Sequence, residues 1–235
     1  ISGIVGHANL AIGDKVQDIL EQHIALAKGR FKGIRHAGAH AEYPEVLMIA
    51  GRAPKSLYLD PDFQIGVKKL GEMGLSFDTW HYHYQNQEFD LLAKSAPETQ
   101  MILDHFGTPL GVGPYADQKT EIFSQWKKDI VAIAKNPNVV AKIGGLAMPD
   151  NGFGWHARST PPNSDEFAAA QRDYYLHTID CFGPDRCMFE SNFPVDRFSI
   201  SYPVLYNGLK KIVADFSEAD KHAMFYGTAE RIYKL

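Results

Sequence analysis

The sequence has little cysteine, no surplus of basic charge and no long apolar run, and each shortage removes a class of function. Only two cysteines occur among 235 residues, Cys181 and Cys187. They make neither a disulfide framework nor a metal-ligand spacing, and they read as a reducing, cytoplasmic setting. Lysine and arginine number 24 against 28 aspartates and glutamates, a formal charge of −4. With no Lys/Arg cluster, the chain carries no electrostatic footprint for nucleic acid or for an anionic membrane surface. Apolar stretches are broken by charges well before the ~18 residues that suggest a membrane span. The chain opens Ile1-Ser2-Gly3-Ile4-Val5, without an initiator Met or a signal-peptide n-region in these residues, as though already inside a strand. The expectation is that further residues stand upstream of Ile1.

What is present is alternation. Short apolar runs at 3–7, 31–35, 75–80, 101–105, 139–144 and 187–192 are separated by stretches with apolar residues at helical spacing. Val16, Ile19, Leu20 and Ile24 share one face of the first helix, with Asp14 as its expected N-cap. Asp60-Pro61 reads as a cap followed by proline at the first helical position, and Asn163-Ser164-Asp165-Glu166 as a capping box. Two long Gly/Pro-containing loops, 36–58 and 145–162, interrupt the pattern and are expected to be functional. No polar linker or repeat divides the chain, so residues 1–235 read as one domain. Repeated β/α units fit either an open doubly wound sheet or part of a barrel. A dinucleotide site needs G-x-G-x-x-G after the first strand, and Gly6-His7-Ala8-Asn9 lacks it.

Polar residues gather where the runs end: His7, Arg35-His36, Trp80-His81-Tyr82-His83, Asp104-His105 and Glu190-Ser191-Asn192. A barrel active site draws its residues from the C-terminal ends of several strands in this way. Arg35 reads either as a strand-end cap or as a bidentate carboxylate binder. His7 reads as a half-buried packing residue or a site residue; His23, His177 and His222 fall in helical patterns and read as packing or surface residues. His105 is the leading candidate. Strict alternation would turn His105 inward together with Leu103 and Met101, with Asp104 toward the helices, and would put Asn192, Glu190 and Met188 on one face.

Several strings together resemble the amidohydrolase 2 family of barrel hydrolases. They are Phe31-Lys32-Gly33-Ile34-Arg35-His36, Ile102-Leu103-Asp104-His105-Phe106-Gly107-Thr108-Pro109, Val140-Ala141-Lys142-Ile143-Gly144-Gly145-Leu146, Glu190-Ser191-Asn192-Phe193-Pro194 and Phe225-Tyr226-Gly227-Thr228-Ala229-Glu230-Arg231. The resemblance implies an α/β fold, a (β/α)8 TIM barrel with about six of its eight units in this chain. It also implies hydrolysis of a lactone or ester-like bond in a small carboxylate- or sugar-derived molecule, nearest the sugar-lactone and pyrone-dicarboxylate lactonases. On this reading His105, Glu190 and Asn192 are catalytic, while Arg35, His36, Trp80 and His83 bind substrate. His105 would polarise the carbonyl or move a proton. Asn192 stands where the family usually has aspartate and cannot act as a base, which leaves Glu190, or after it Asp196, for that part. The other reading of Glu190 is an ion pair with Lys142. The family's first-strand His-x-His is missing, and the one divalent metal it implies, zinc, would need residues upstream of Ile1. The rivals are a metal-dependent decarboxylase and an inactive ligand-binding barrel. The expected partner is a small molecule, with no nucleic acid or membrane and the oligomeric state open.

Overall fold

Apolar residues alternating on short runs, between helices with one apolar stripe, favour strands laid side by side in parallel with helices over one face. The computed structural model, which describes residues 1–235, has this arrangement. Strands β1 (Ile4–Gly6), β2 (Phe31–Arg35), β3 (Ser76–Asp78), β4 (Gln100–Asp104), β5 (Val139–Ile143) and β6 (Cys187–Phe189) pair in parallel in the order of the sequence. A helix follows each in turn: α1 (Val16–Ala27), α2 (Pro61–Glu72), α3 (Asn86–Ser95), α4 (Lys119–Ala134), α5 (Ser164–Phe182) and α6 (Tyr202–Ile212). Two short helices, α7 (Glu218–His222) and α8 (Thr228–Tyr233), close the chain. An order that never reverses, with a helix after every strand, is an arc of a (β/α)8 barrel; it has no switch point of the doubly wound kind. No helix is long and apolar enough to cross a membrane.

The expected caps at α2 and α5 form. Asp60 accepts from the Phe63 N–H with Pro61 at the first helical position, and Asn163 and Glu166 make a reciprocal capping box. Asp14 does not cap α1. A 3-10 turn, Leu10–Lys15, precedes that helix and is capped by Asn9, while the Asp14 carboxylate lies 3.4 Å from Lys69 Nζ.

Ile34, Phe77, Met101, Leu103, Val139, Ala141, Ile143 and Cys187 lie in the main core with the helices. Ile102, Val140 and Met188 form a second, smaller cluster, covered by Ala229, Ile232 and Tyr233 around α8. The facing expected on β4 is therefore reversed: Met101 and Leu103 turn to the helices, and Ile102 and Asp104 to the concave side. Alternation fails to carry through to His105 because His105 and Phe106 have φ of 55° and 58°, which ends the extended conformation. Such left-handed non-glycine residues cost roughly 1–2 kcal/mol each and concentrate at functional sites.

At the β2–β3 contact Gly33 pairs with Ser76. A Cβ on Gly33 would fall on the Ser76 hydroxyl and backbone carbonyl. Gly33→Ala should cost ~1–3 kcal/mol through overpacking, read as a fall of several degrees in the thermal midpoint. An unchanged midpoint would show that the two strands have room to part.

Candidate active site

Arg35 closes β2, His105 follows β4 and Glu190 follows β6, and the curvature of the sheet brings their side chains into one line. Arg35 Nη2 donates to His105 Nε2 at 2.9 Å, and His105 Nδ1 lies 2.5 Å from Glu190 Oε1. A guanidinium can only donate, so Nε2 must accept and the ring proton sits on Nδ1. His105 then donates to Glu190, which accepts as a carboxylate. Gly145, with φ of 82°, passes so close that a Cβ there would stand 2.6 Å from His105 Nδ1. The imidazole is held on all sides, and its side chain is only 2% exposed. The two ends of the line are more open, with the Arg35 side chain 42% exposed and that of Glu190 14%. Arg35 Nη1 and Glu190 Oε2 have no protein partner, so one cationic donor and one anionic acceptor remain free.

Asn192 has φ of 50°. Its Nδ2 donates to Asp196 Oδ1 at 2.8 Å, and the Ala147 N–H donates to Asp196 Oδ2 at 3.3 Å. The hydrogen bond settles which way the amide points: Nδ2 faces Asp196, leaving Oδ1 as a free acceptor. Asp196 is fully buried. Burial pushes its carboxyl up to about 7, with the negative charge of Glu190 acting in the same direction and Asn192 and His105 opposing it.

The other expected site residues make their contacts elsewhere than on this line. Trp80 Nε1 donates to the Thr108 hydroxyl at 3.1 Å, which places it beside the turn that carries His105. His83 belongs to an aromatic wall, edge-on to Tyr84 and Tyr115, and its Nδ1 accepts from the Leu110 N–H at 3.2 Å. His36 Nδ1 likewise accepts from the Leu10 N–H at 3.1 Å. Burial lowers both histidines to about 4, with His7 adding to the effect at His36. Each is therefore a neutral ring whose Nε2–H is unspent. Neither bonds to Arg35, His105 or Glu190. His7 Nδ1 sits on the Arg35 carbonyl, His23 stacks on Phe31 and His177 binds the Lys127 carbonyl, the last two as packing residues. The long loops are clamped to each other where Asp150 accepts from the N–H groups of Met48 and Ile49 at 2.7 and 2.9 Å.

The ion pair expected between Glu190 and Lys142 does not form. Lys142 Nζ lies 2.6 Å from Asp78 Oδ2 and 3.3 Å from Asp104 Oδ1, because Glu190 is drawn to His105 instead. The sequence pattern did not single out Asp78 or its hydrogen-bonded neighbour Tyr233, and it turned Asp104 toward the helices. The available signal was the alternation along β3, β4 and β5, where Asp78, Asp104 and Lys142 have the parity opposite to Phe77, Leu103 and Ile143 of the main core.

No three His, Cys, Asp or Glu side chains are grouped to hold a metal ion. Both His105 nitrogens are engaged, and the Arg35 guanidinium at 2.9 Å would stand against a dication at Nε2. These residues as arranged do not fit a metal.

The sequence profile of the amidohydrolase family, described as "Amidohydrolase", matches residues 2–235. The uncharacterized protein y4mH of Sinorhizobium fredii is 34% identical over 234 residues, 99% of this chain and 70% of that protein. An L-fucono-1,5-lactonase of Burkholderia multivorans is 27% identical over 178 residues, 75% of this chain and 57% of that enzyme. Among solved structures, an amidohydrolase of Burkholderia multivorans with bound HEPES superposes with a TM-score of 0.80 at 23% identity, covering 100% of this chain and 74% of that one. A second crystal form, with bound zinc, gives 0.78 over the same shares at the same identity. These superpositions show the barrel fold.

Proposed function

The chain belongs to the amidohydrolase family, and from that premise we propose that it hydrolyses a lactone or similar ester bond in a small carboxylate- or sugar-derived molecule. The observation that carries the reading is the line Arg35–His105–Glu190, which leaves a cationic donor and a carboxylate free at the ends of different strands. The relative described as an L-fucono-1,5-lactonase supports the same substrate class.

In this reading a water held at Glu190 Oε2 gives its proton to the carboxylate as its oxygen attacks the acyl carbon. The charge that develops on the carbonyl oxygen is met by Arg35 Nη1, a donor already fixed in place. Collapse of the tetrahedral adduct breaks the bond to the ring oxygen. That oxygen takes the proton back from Glu190, so water and lactone give one hydroxy acid. His105 spends its proton on Glu190 and its lone pair on Arg35, and it acts by holding both. Arg35 thus takes the polarising part expected of His105, which is buried and has no free donor. Asn192 Oδ1 and the Nε2–H groups of His36 and His83 serve as neutral partners for substrate hydroxyls, with Trp80 as an apolar wall.

A panel of sugar-acid lactones and cyclic esters, followed by acid release with a pH indicator, tests the proposal. Arg35→Met should lower kcat by about 10²–10³-fold, the scale for losing one preorganised oxyanion donor. Absence of turnover on every lactone, with carbon dioxide released from an aromatic acid, would replace hydrolysis by decarboxylation.

A further inference from the structure

Beneath the Arg35–His105–Glu190 line the concave face of the sheet carries a ladder of alternating charge. Arg35 Nε lies 3.3 Å from Asp104 Oδ2, and Asp104 Oδ1 lies 3.3 Å from Lys142 Nζ. Lys142 Nζ is 2.6 Å from Asp78 Oδ2, which also accepts from the Tyr233 hydroxyl at 2.5 Å. Asp78 Oδ1 accepts from Ser76 Oγ at 3.2 Å. Asp78 and Asp104 are 1% and 0% exposed, and neither Asp104 oxygen has a hydrogen-bond donor. Only the two cations hold that carboxylate. Burial works against the charge on Lys142, yet Asp104 and Asp78 outweigh it and keep the lysine pKa well above its usual value.

Stability alone does not explain the ladder. Replacing a buried ion network by apolar residues of similar size is often neutral or stabilising. The neighbouring positions of the same face, Ile102, Val140 and Met188, already pack as an apolar cluster under α8. The ladder ends, however, on the one cationic side chain of the candidate site. An arginine loses about 2 kcal/mol of rotamer entropy when immobilised, so a partly exposed guanidinium stays in one plane only if something holds it there. Here the Asp104 carboxylate attracts Nε at 3.3 Å and His105 accepts from Nη2, which leaves Nη1 as the donor without a protein partner.

We propose that Asp104 and Lys142 are positioning residues that fix the Arg35 guanidinium against His105, with Lys142 balancing Asp104 so that the carboxylate does not draw Arg35 away from the imidazole. The formal charges close: Asp78 and Asp104 contribute two negatives, Lys142 and Arg35 two positives. Without Lys142, two buried carboxylates share one guanidinium, and Arg35 sinks toward Asp104. Tyr233 ties the end of the chain into the same ladder through Asp78. The catalytic consequence rests on the lactonase reading, but the placement of Arg35 does not.

The test therefore has two readouts in Lys142→Met, Lys142→Arg and Asp104→Asn. The first is the nitrogen-15 spectrum of the Arg35 side chain in the absence of substrate. Wild type should show resolved, slowly exchanging guanidinium N–H signals, which Lys142→Met averages and Lys142→Arg restores. The second is kcat/KM on the best lactone, expected to fall ~10²-fold in Lys142→Met, the scale for a misplacement of about 1 Å, and to recover in Lys142→Arg. Unchanged Arg35 signals in a folded Lys142→Met protein would overturn the proposal. If that variant fails to fold, Asp104→Asn, which keeps shape and removes charge, decides it on the same signals. If the Arg35 signals respond while wild type hydrolyses no lactone, the positioning role stands and the lactonase reading falls.

Discussion

Glu190→Gln should lower kcat on a lactone substrate by about 10²–10⁴-fold, the usual scale for loss of a general base, with the fold intact. The substitution separates charge from geometry. Glutamine keeps an oxygen that can accept from His105 Nδ1, so the 2.5 Å contact and the tautomer it enforces can persist. Lost are the negative charge and the free Oε2 that would take a proton from water. Glu190 holds no lysine or arginine, so its removal breaks no ion pair with a permanent cation. Circular dichroism and the thermal midpoint should stay close to wild type while turnover falls. Full turnover in a folded Glu190→Gln protein would remove Glu190 from the chemistry. Asp196, buried behind Asn192 with a carboxyl pushed by burial to about 7, would then be the remaining candidate base.

The second large effect is on stability in acid. His81 is fully buried, with Nδ1 3.0 Å from the Thr79 hydroxyl and Nε2 3.0 Å from Asn86 Oδ1. Asn86 Oδ1 can only accept, so Nε2 carries the proton and Nδ1 accepts from Thr79, whose oxygen also meets the Tyr58 hydroxyl. A second proton on the ring would break this chain. Burial lowers the His81 pKa to about 4 in the folded protein, against 6.5 for the free side chain. The unfolded chain therefore takes up its proton first as pH falls. The stability from a neutral His81 is complete above pH 6.5 and is lost progressively down to about pH 4. The gap corresponds to about 3 kcal/mol, a large share of the ~5–15 kcal/mol that holds a domain folded. His36 and His83 act in the same direction, and Asp196 opposes them, because a carboxyl raised in the folded state is protonated there first. Urea midpoints measured from pH 7 to 4.5 should fall in wild type. In His81→Gln the midpoint should start lower and depend less on pH. Equal slopes in the two proteins would show that His81 is not the acid-sensitive group.

Much of this protein is legible without its structure, and for one reason: the legible features depend on neighbours within a few residues. The Asp60-Pro61 and Asn163–Glu166 helix starts are local hydrogen bonds, and the six β/α units are local periodicities. Polar residues at strand ends likewise point to Arg35, His105 and Glu190, because parallel strands place all their C-terminal ends on one side. Their roles relative to one another do not follow from the sequence. Whether Glu190 meets His105 or Lys142 is settled across 85 residues of chain, by the bend after β4 that brings the imidazole over β6. Strict alternation misassigned Asp104 because left-handed residues at His105 and Phe106 shift the count at the point where the site begins. The charge ladder needed tertiary structure for the same reason. Asp78, Asp104, Lys142 and Tyr233 are far apart in the chain, and a buried charge is tolerated only where the fold supplies its counterion.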